Sequence, residues 1–204
     1  MQRLLTSIVL SCSMLFLAAC DKPAGETSTT QTSATAPADT GPVDFDKLES
    51  LKGFVVGTGP SIMAQTNAYV FFDPQCPHCA ELWLNAQPLA QQVKIKWIPI
   101  AFINAQSKTQ AGVLLESQNP VELMSKYEAE MTASKNSVAL NGSPRAETLE
   151  EVERNTQAWK NSGAQSVPTM LYRDAKNPGK PSMVTGAAPT ASIAALFGVT
   201  APAK

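Results

Sequence analysis

Histidine is nearly missing from this chain of 204 residues, which has one, and cysteine is scarce at four. Neither charge dominates, with 16 Lys and Arg against 17 Asp and Glu. No basic stripe is present, so nucleic acid is not expected as a partner. One histidine and one usable cysteine pair cannot close a four-ligand zinc site. Haem attachment would need histidine directly after the second cysteine of a C-x-x-C pair, and Ala80 stands there. His78 lies too close in sequence to Cys76 to act as its base across a protease cleft. No internal repeat is visible. At 44% hydrophobic residues, the chain suits one sizeable globular domain with appendages.

The four cysteines are Cys12, Cys20, Cys76 and Cys79. Residues 1–19 carry an early Arg3 and an apolar segment from Ile8 to Leu17, then end in Leu17-Ala18-Ala19 before Cys20. This is the build of an export signal, too short for a finished transmembrane helix. Leu17-Ala18-Ala19-Cys20 resembles a bacterial lipobox, which makes Cys20 the expected lipidated first residue and the membrane an expected partner through that lipid. Asp21 behind it resembles an inner-membrane retention signal. Residues 20–42, rich in Thr, Ala, Pro and Ser, read as a lipid-anchored disordered tether. Such a tether spans roughly 25 Å on average. Cys12 leaves with the signal and Cys20 is taken by lipid. Cys76 and Cys79 then remain as the thiols of an oxidising compartment. A disulfide between them closes almost no loop and contributes little stability, which favours chemistry over stapling.

The apolar run Ala68-Tyr69-Val70-Phe71-Phe72 reads as a buried strand. After the cysteines, Cys79, Leu82, Trp83, Ala86, Leu89, Ala90 and Val93 recur at helical spacing. Cys76-Pro77-His78-Cys79 therefore falls where a strand hands over to a helix N-terminus, with Pro77 at the first helical position. Unpaired N–H groups and the helix dipole stabilise an anion there. Cys76 is expected as an exposed thiolate, its pKa well below the free value of about 8.5, and Cys79 as a shielded resolving thiol. Pro77 and His78 are the expected redox-tuning residues, His78 adding positive charge or a hydrogen bond to the Cys76 sulfur. A stabilised thiolate makes the disulfide a stronger oxidant. A different class stays open, in which Cys76, His78 and Cys79 hold Cu(I) or Zn²⁺ as a metallochaperone module.

Folded character is expected over 43–204. A short helix over Asp44 to Leu51 and a strand at Phe54-Val55-Val56 precede the cysteine strand and its helix, which Pro88 should divide. Val93 to Phe102 reads as a strand, alternating with lysine before it enters the sheet interior. Helices follow over Lys108 to Ser117, from Pro120 with Val121, Met124, Tyr127 and Met131 on one face, and over Arg145 to Asn161. Strands at Thr169–Arg173 and Pro181–Gly186, joined by a turn at Asn177–Lys180, lead to a last helix over Thr190–Phe197. This order implies an α/β domain, a central mixed sheet with helices on both faces.

With Val167-Pro168 before that hairpin, the chain resembles the thioredoxin superfamily, and within it the catalytic domain of DsbC/DsbG-type disulfide interchange proteins. The likeness covers roughly Phe45 to Val199, and Tyr69 to Cys79 is especially similar to the DsbG branch. It implies a thioredoxin fold with an inserted helical subdomain at about 104–165. It also implies a cis Pro168 beside the cysteines and a Val167 backbone that binds a substrate segment as a strand would. The activity implied is thiol–disulfide oxidoreductase in the periplasm, with no cofactor. Its partners would be exported proteins with cysteines and a DsbB-like or DsbD-like membrane redox protein. The preceding dimerisation domain of those proteins has no counterpart here, so a monomer is expected. Pro77-His78 and Val167 are more similar to DsbA oxidases, which points to an oxidant rather than an isomerase. The alternative is a reductase of sulfenylated or mispaired cysteines. Asp73 is expected at the surface, outside catalysis.

Overall fold

The computed structural model describes residues 44–59, 66–134, 139–176 and 181–203. The signal segment, Cys20, the tether and the turn at 177–180 lie outside them.

Helix α1 (Phe45–Ser50) starts where the Asp44 carboxylate accepts the backbone N–H groups of Asp46 and Lys47. Strands β1 (Phe54–Val56) and β2 (Ala68–Phe72) follow, then α2 (Pro77–Ala86). Pro88 falls in a 3₁₀ turn, Gln87–Leu89, that ends the long apolar helix pattern early. Next come β3 (Ile95–Pro99), α3 (Ala105–Glu116), α4 (Pro120–Ser134) and α5 (Ala146–Asn161). Strands β4 (Thr169–Arg173) and β5 (Pro181–Thr185) and helix α6 (Thr190–Phe197) close the chain, α6 ending on Gly198 at φ 66°.

The five strands form one mixed sheet in the order β1-β3-β2-β4-β5. Only β2 and β3 run parallel; the other pairs are antiparallel. Central β2 is buried along its whole length, so its sequence is continuously apolar rather than alternating. The pleat still sorts its side chains. Ala68, Val70 and Phe72 pack with Leu82, Trp83 and Trp97 on one face, and Tyr69 and Phe71 pack with Ile98, Trp159 and Leu171 on the other. The first face is knit by ring contacts, Trp83 to Trp97 at 4.8 Å and Phe72 to Trp97 at 5.7 Å between centroids.

Three expectations shift. Strand β3 is shorter than its apolar run, because the chain turns out of the sheet after Pro99 to reach α3. Lys96, expected on a solvated alternation, is instead covered: its ammonium donates to the Glu49 carbonyl and lies 3.7 Å from the Glu49 carboxylate. Helix α3 begins three residues earlier than its apolar pattern, because Asn104 and Ser107 form a capping box. Replacing Trp97 by Ala should remove about 3–5 kcal/mol of stability, read as a lower midpoint in chemical unfolding.

Candidate active site

Strand β2 delivers the chain to the motif, and its register fixes what lies alongside. Phe71 pairs with Thr169 at the start of β4, so Pro168 falls beside the residues that leave β2 for α2. The Val167–Pro168 peptide bond is cis. Cys76 is the N-cap of α2, in extended conformation, and Pro77 opens the helix at a position that needs no N–H donor. The Cys76 sulfur lies 3.6 Å from the Val167 carbonyl oxygen. The two cysteines and the Val167–Pro168 segment, 91 residues apart in sequence, thus meet at one point.

The two sulfurs sit in unequal surroundings. Cys79 is fully buried and Cys76 is 4% exposed, so the exposure expected of Cys76 is corrected to a narrow opening. The Cys79 thiol hydrogen-bonds the Cys76 sulfur, and the backbone N–H groups of Cys79 and His78 point at it too. Together these outweigh burial and the nearby Asp73 charge and pull the Cys76 pKa below the ordinary thiol value. Burial, then the neighbouring Cys76, push Cys79 well above that value.

His78 acts here through its backbone. Its ring does not bond the sulfur as expected; it is largely exposed and turns along the helix surface to Glu81, Nδ1 to Oε2 3.6 Å. That orientation also takes the ring away from a metal set with the cysteines. Among the described residues, no group of three or more His, Cys, Asp or Glu side chains is placed to hold a metal ion.

Asp73 overturns its expectation completely: it is fully buried. One carboxylate oxygen accepts the Gln75 N–H at 2.8 Å, and the other accepts those of Phe102 and Ile103 at 2.7 and 2.8 Å. It ties the motif loop to the segment between β3 and α3. That segment presents Phe102 and Ile103, 48% and 43% exposed, on the rim of the site. The Phe102 ring rests on Trp159 at 4.7 Å, and the Trp159 indole N–H donates to the Thr169 hydroxyl beside Pro168.

Sequence reading also missed a polar layer from α3 and α4. The Gln75 amide donates to the Gln110 side chain and to the Tyr127 hydroxyl, and the Asn104 amide donates to Gln75. The Tyr127 hydroxyl donates to the Pro74 carbonyl. The next residue, Glu128, is fully buried, and among the described residues neither of its carboxyl oxygens has a hydrogen-bond partner. Burial, with the charge of Cys76 second, raises its pKa to about 9. Its signal was in the sequence: Met124, Tyr127, Glu128 and Met131 follow the three- and four-residue steps of one buried helix face.

No family model matches the chain. Residues of the chain are 29% identical, over 111 positions, to the thiol:disulfide interchange protein DsbG of Escherichia coli strain K12, covering 53% of this chain and 44% of that one. They are 26% identical over 132 positions to DsbG of Pseudomonas aeruginosa, covering 64% and 50%. The chain thus aligns with half or less of the length of these curated relatives. The fold is shared with a periplasmic thioredoxin-like protein from Salmonella enterica serovar Typhimurium, at a TM-score of 0.55 and 18% identity over 72% of this chain and 88% of that one.

Asp73→Asn keeps an acceptor on the loop but removes a like charge near Cys76, a charge that raises the thiol pKa. Thiolate absorbance against pH should therefore show Cys76 ionising at lower pH in Asp73→Asn than in the parent. An unchanged or higher pKa in a folded variant would remove Asp73 from the electrostatics of the site.

Proposed function

Because the chain is a DsbC/DsbG-like protein of the thioredoxin superfamily, we propose that it is a periplasmic thiol–disulfide oxidoreductase acting as an oxidant of exported proteins. The observation that carries this reading is geometric: the Cys76 sulfur lies at the N-cap of α2, 3.6 Å from the Val167 carbonyl beside the cis Pro168, with Cys79 fully buried one turn in. A client thiolate attacks the Cys76 sulfur of the Cys76–Cys79 disulfide, forming a client–Cys76 bond while the electron pair goes to Cys79. A second client thiol attacks the client sulfur of the mixed disulfide and expels Cys76. The N–H groups gathered on that sulfur make it a good leaving group. The client gains a disulfide and the protein becomes a dithiol, to be reoxidised by a DsbB-like membrane partner.

Val167 and Pro168 are the substrate-binding residues of this reading. The Val167 carbonyl, which faces the Cys76 sulfur, is free to accept a client N–H once Cys76 is ionised or bonded. Pro77 and His78 tune the pair through the helix start. The protein works as a monomer held by lipid on Cys20, the 20–42 segment being its leash.

Alkylation trapping in cells should find the Cys76–Cys79 pair mostly as a disulfide. Cys79→Ala should accumulate mixed disulfides with exported proteins, and Cys76→Ala should accumulate none. A pair held mostly as dithiol would move the assignment to a reductase of sulfenylated or mispaired cysteines. Metal-protected thiols released by a chelator would move it to the metallochaperone class.

Cys20→Ser should abolish metabolic labelling with palmitate and shift the protein from the membrane to the soluble periplasmic fraction. An unlabelled parent protein would refute the anchor.

A further inference from the structure

The Tyr127 hydroxyl sits on a buried helix face that packing alone would fill with Phe. The Tyr127 ring lies with Met131 against Ala80, the residue after Cys79. Phe would keep that contact, so the oxygen answers to something else. It donates to the Pro74 carbonyl, accepts the Gln75 side-chain amide at 3.2 Å and lies 3.1 Å from the Gln110 side-chain oxygen.

The Pro74 carbonyl belongs to a turn. The Cys76 N–H donates to the Asp73 carbonyl at 3.0 Å, which closes a β-turn with Pro74 and Gln75 in the middle. That bond ties the ends of the turn and leaves its central peptide free to rotate; types I and II differ by the flip of that peptide. Here the central peptide is caught on both sides. Its carbonyl, from Pro74, takes the Tyr127 hydroxyl, and its N–H, from Gln75, goes to the Asp73 carboxylate at 2.8 Å. The Gln75 side chain adds a third hold, through Gln110 and through Asn104 at 3.3 Å. The last residue of the turn is Cys76, which is also the N-cap of α2.

We propose that Tyr127 is a positioning residue for the exchange reaction: its hydroxyl locks the central peptide of the Asp73–Cys76 turn and so sets where the Cys76 sulfur sits against the start of α2. The inference rests on the oxidoreductase reading and adds to it a residue of α4 that acts through the motif loop.

The two redox forms depend on that seat unequally. In the disulfide, a covalent bond to Cys79 fixes the Cys76 sulfur whatever the turn does. In the dithiol, the sulfur is held by hydrogen bonds from Cys79 and the helix start, which weaken steeply as their angles close. Loosening the turn therefore raises the free energy of the reduced thiolate more than that of the disulfide. The Cys76 thiol becomes less acidic and the disulfide a weaker oxidant, two changes that are linked. Replacing Tyr127 by Phe removes no charge, because burial pushes the phenol pKa up and keeps it neutral where thiols titrate. A change in Cys76 acidity then reports geometry.

The test compares the full chain with Tyr127→Phe, which loses the oxygen and keeps the ring, and with Met131→Ala, which thins the same packing on Ala80. Thiolate absorbance against pH reads the Cys76 pKa. Equilibration with glutathione reads the balance in which protein disulfide and two glutathione thiols give protein dithiol and glutathione disulfide. Tyr127→Phe should raise the Cys76 pKa by about one unit and move that balance about tenfold toward the protein disulfide. Met131→Ala should lower the unfolding midpoint and leave both readings at parent values. Parent values in folded Tyr127→Phe, or equal shifts in Met131→Ala, would overturn the proposal. So would a Tyr127→Phe chain that fails to fold, which would assign the hydroxyl to the stability of the fold. A parent chain that equilibrates with glutathione at no ratio would instead sink the oxidoreductase reading, and this inference with it.

Discussion

One carboxylate, Asp73, holds the functional end of the sheet together. It sits where β2 ends and accepts three backbone N–H groups, one from the motif loop and two from the segment after β3. Hydrogen bonds to a charged group stabilise by about 1.5–3 kcal/mol each, and together they offset the desolvation of a fully buried acid. The arrangement costs the thiol something, since the same charge opposes the Cys76 thiolate. The Cys79 thiol, with the N–H groups of the helix start, more than reverses that opposition. The site is therefore a compromise between loop geometry and thiol acidity.

The inequality of the two cysteines follows from where a helix begins. Cys76 is the N-cap and receives N–H groups that have no carbonyl to bond within the helix. Cys79, one turn in, faces the apolar core with Leu82 and Trp83. The Cys79 thiol bonding the Cys76 sulfur, together with position within one helix, thus makes one sulfur acidic and the other not. The polar layer of Gln75, Gln110, Tyr127 and Asn104 then fixes the loop that carries the first sulfur.

Periodicity made the elements legible. The stretch of β2, the helical steps after Cys79 and the Pro-opened α4 each carry their pattern within ten to fifteen residues. The meeting of Val167–Pro168 with the cysteines came from resemblance, since no local pattern reports a contact across 91 residues. Asp73 misled for the same reason. Asp-Pro reads as a surface turn, and its burial is decided by Phe102 and Ile103, 29 and 30 residues away. The His78 ring misled differently: adjacency to two cysteines says nothing about which way a helical side chain points, and this one points to Glu81. Lys96 kept its alternation but lost its solvent to α1, through Glu49.

Glu128 marks the limit of reading pattern as packing. An acid in a stripe with Met124, Tyr127 and Met131 breaks the rule that such a stripe is apolar. A defect of that kind persists when the surrounding fold holds it in place, and helix α4 holds this one against α2. The helices between β3 and β4 are therefore more than a lid on the sheet. They clamp the motif loop through Tyr127 and Gln110, and they carry a buried carboxyl, Glu128, in the helix packed on α2. A disulfide opened from its exposed side leaves its negative charge on the covered side. Burial raises the cost of that charge, which is why the covered sulfur holds its proton more tightly than the sulfur at the helix start.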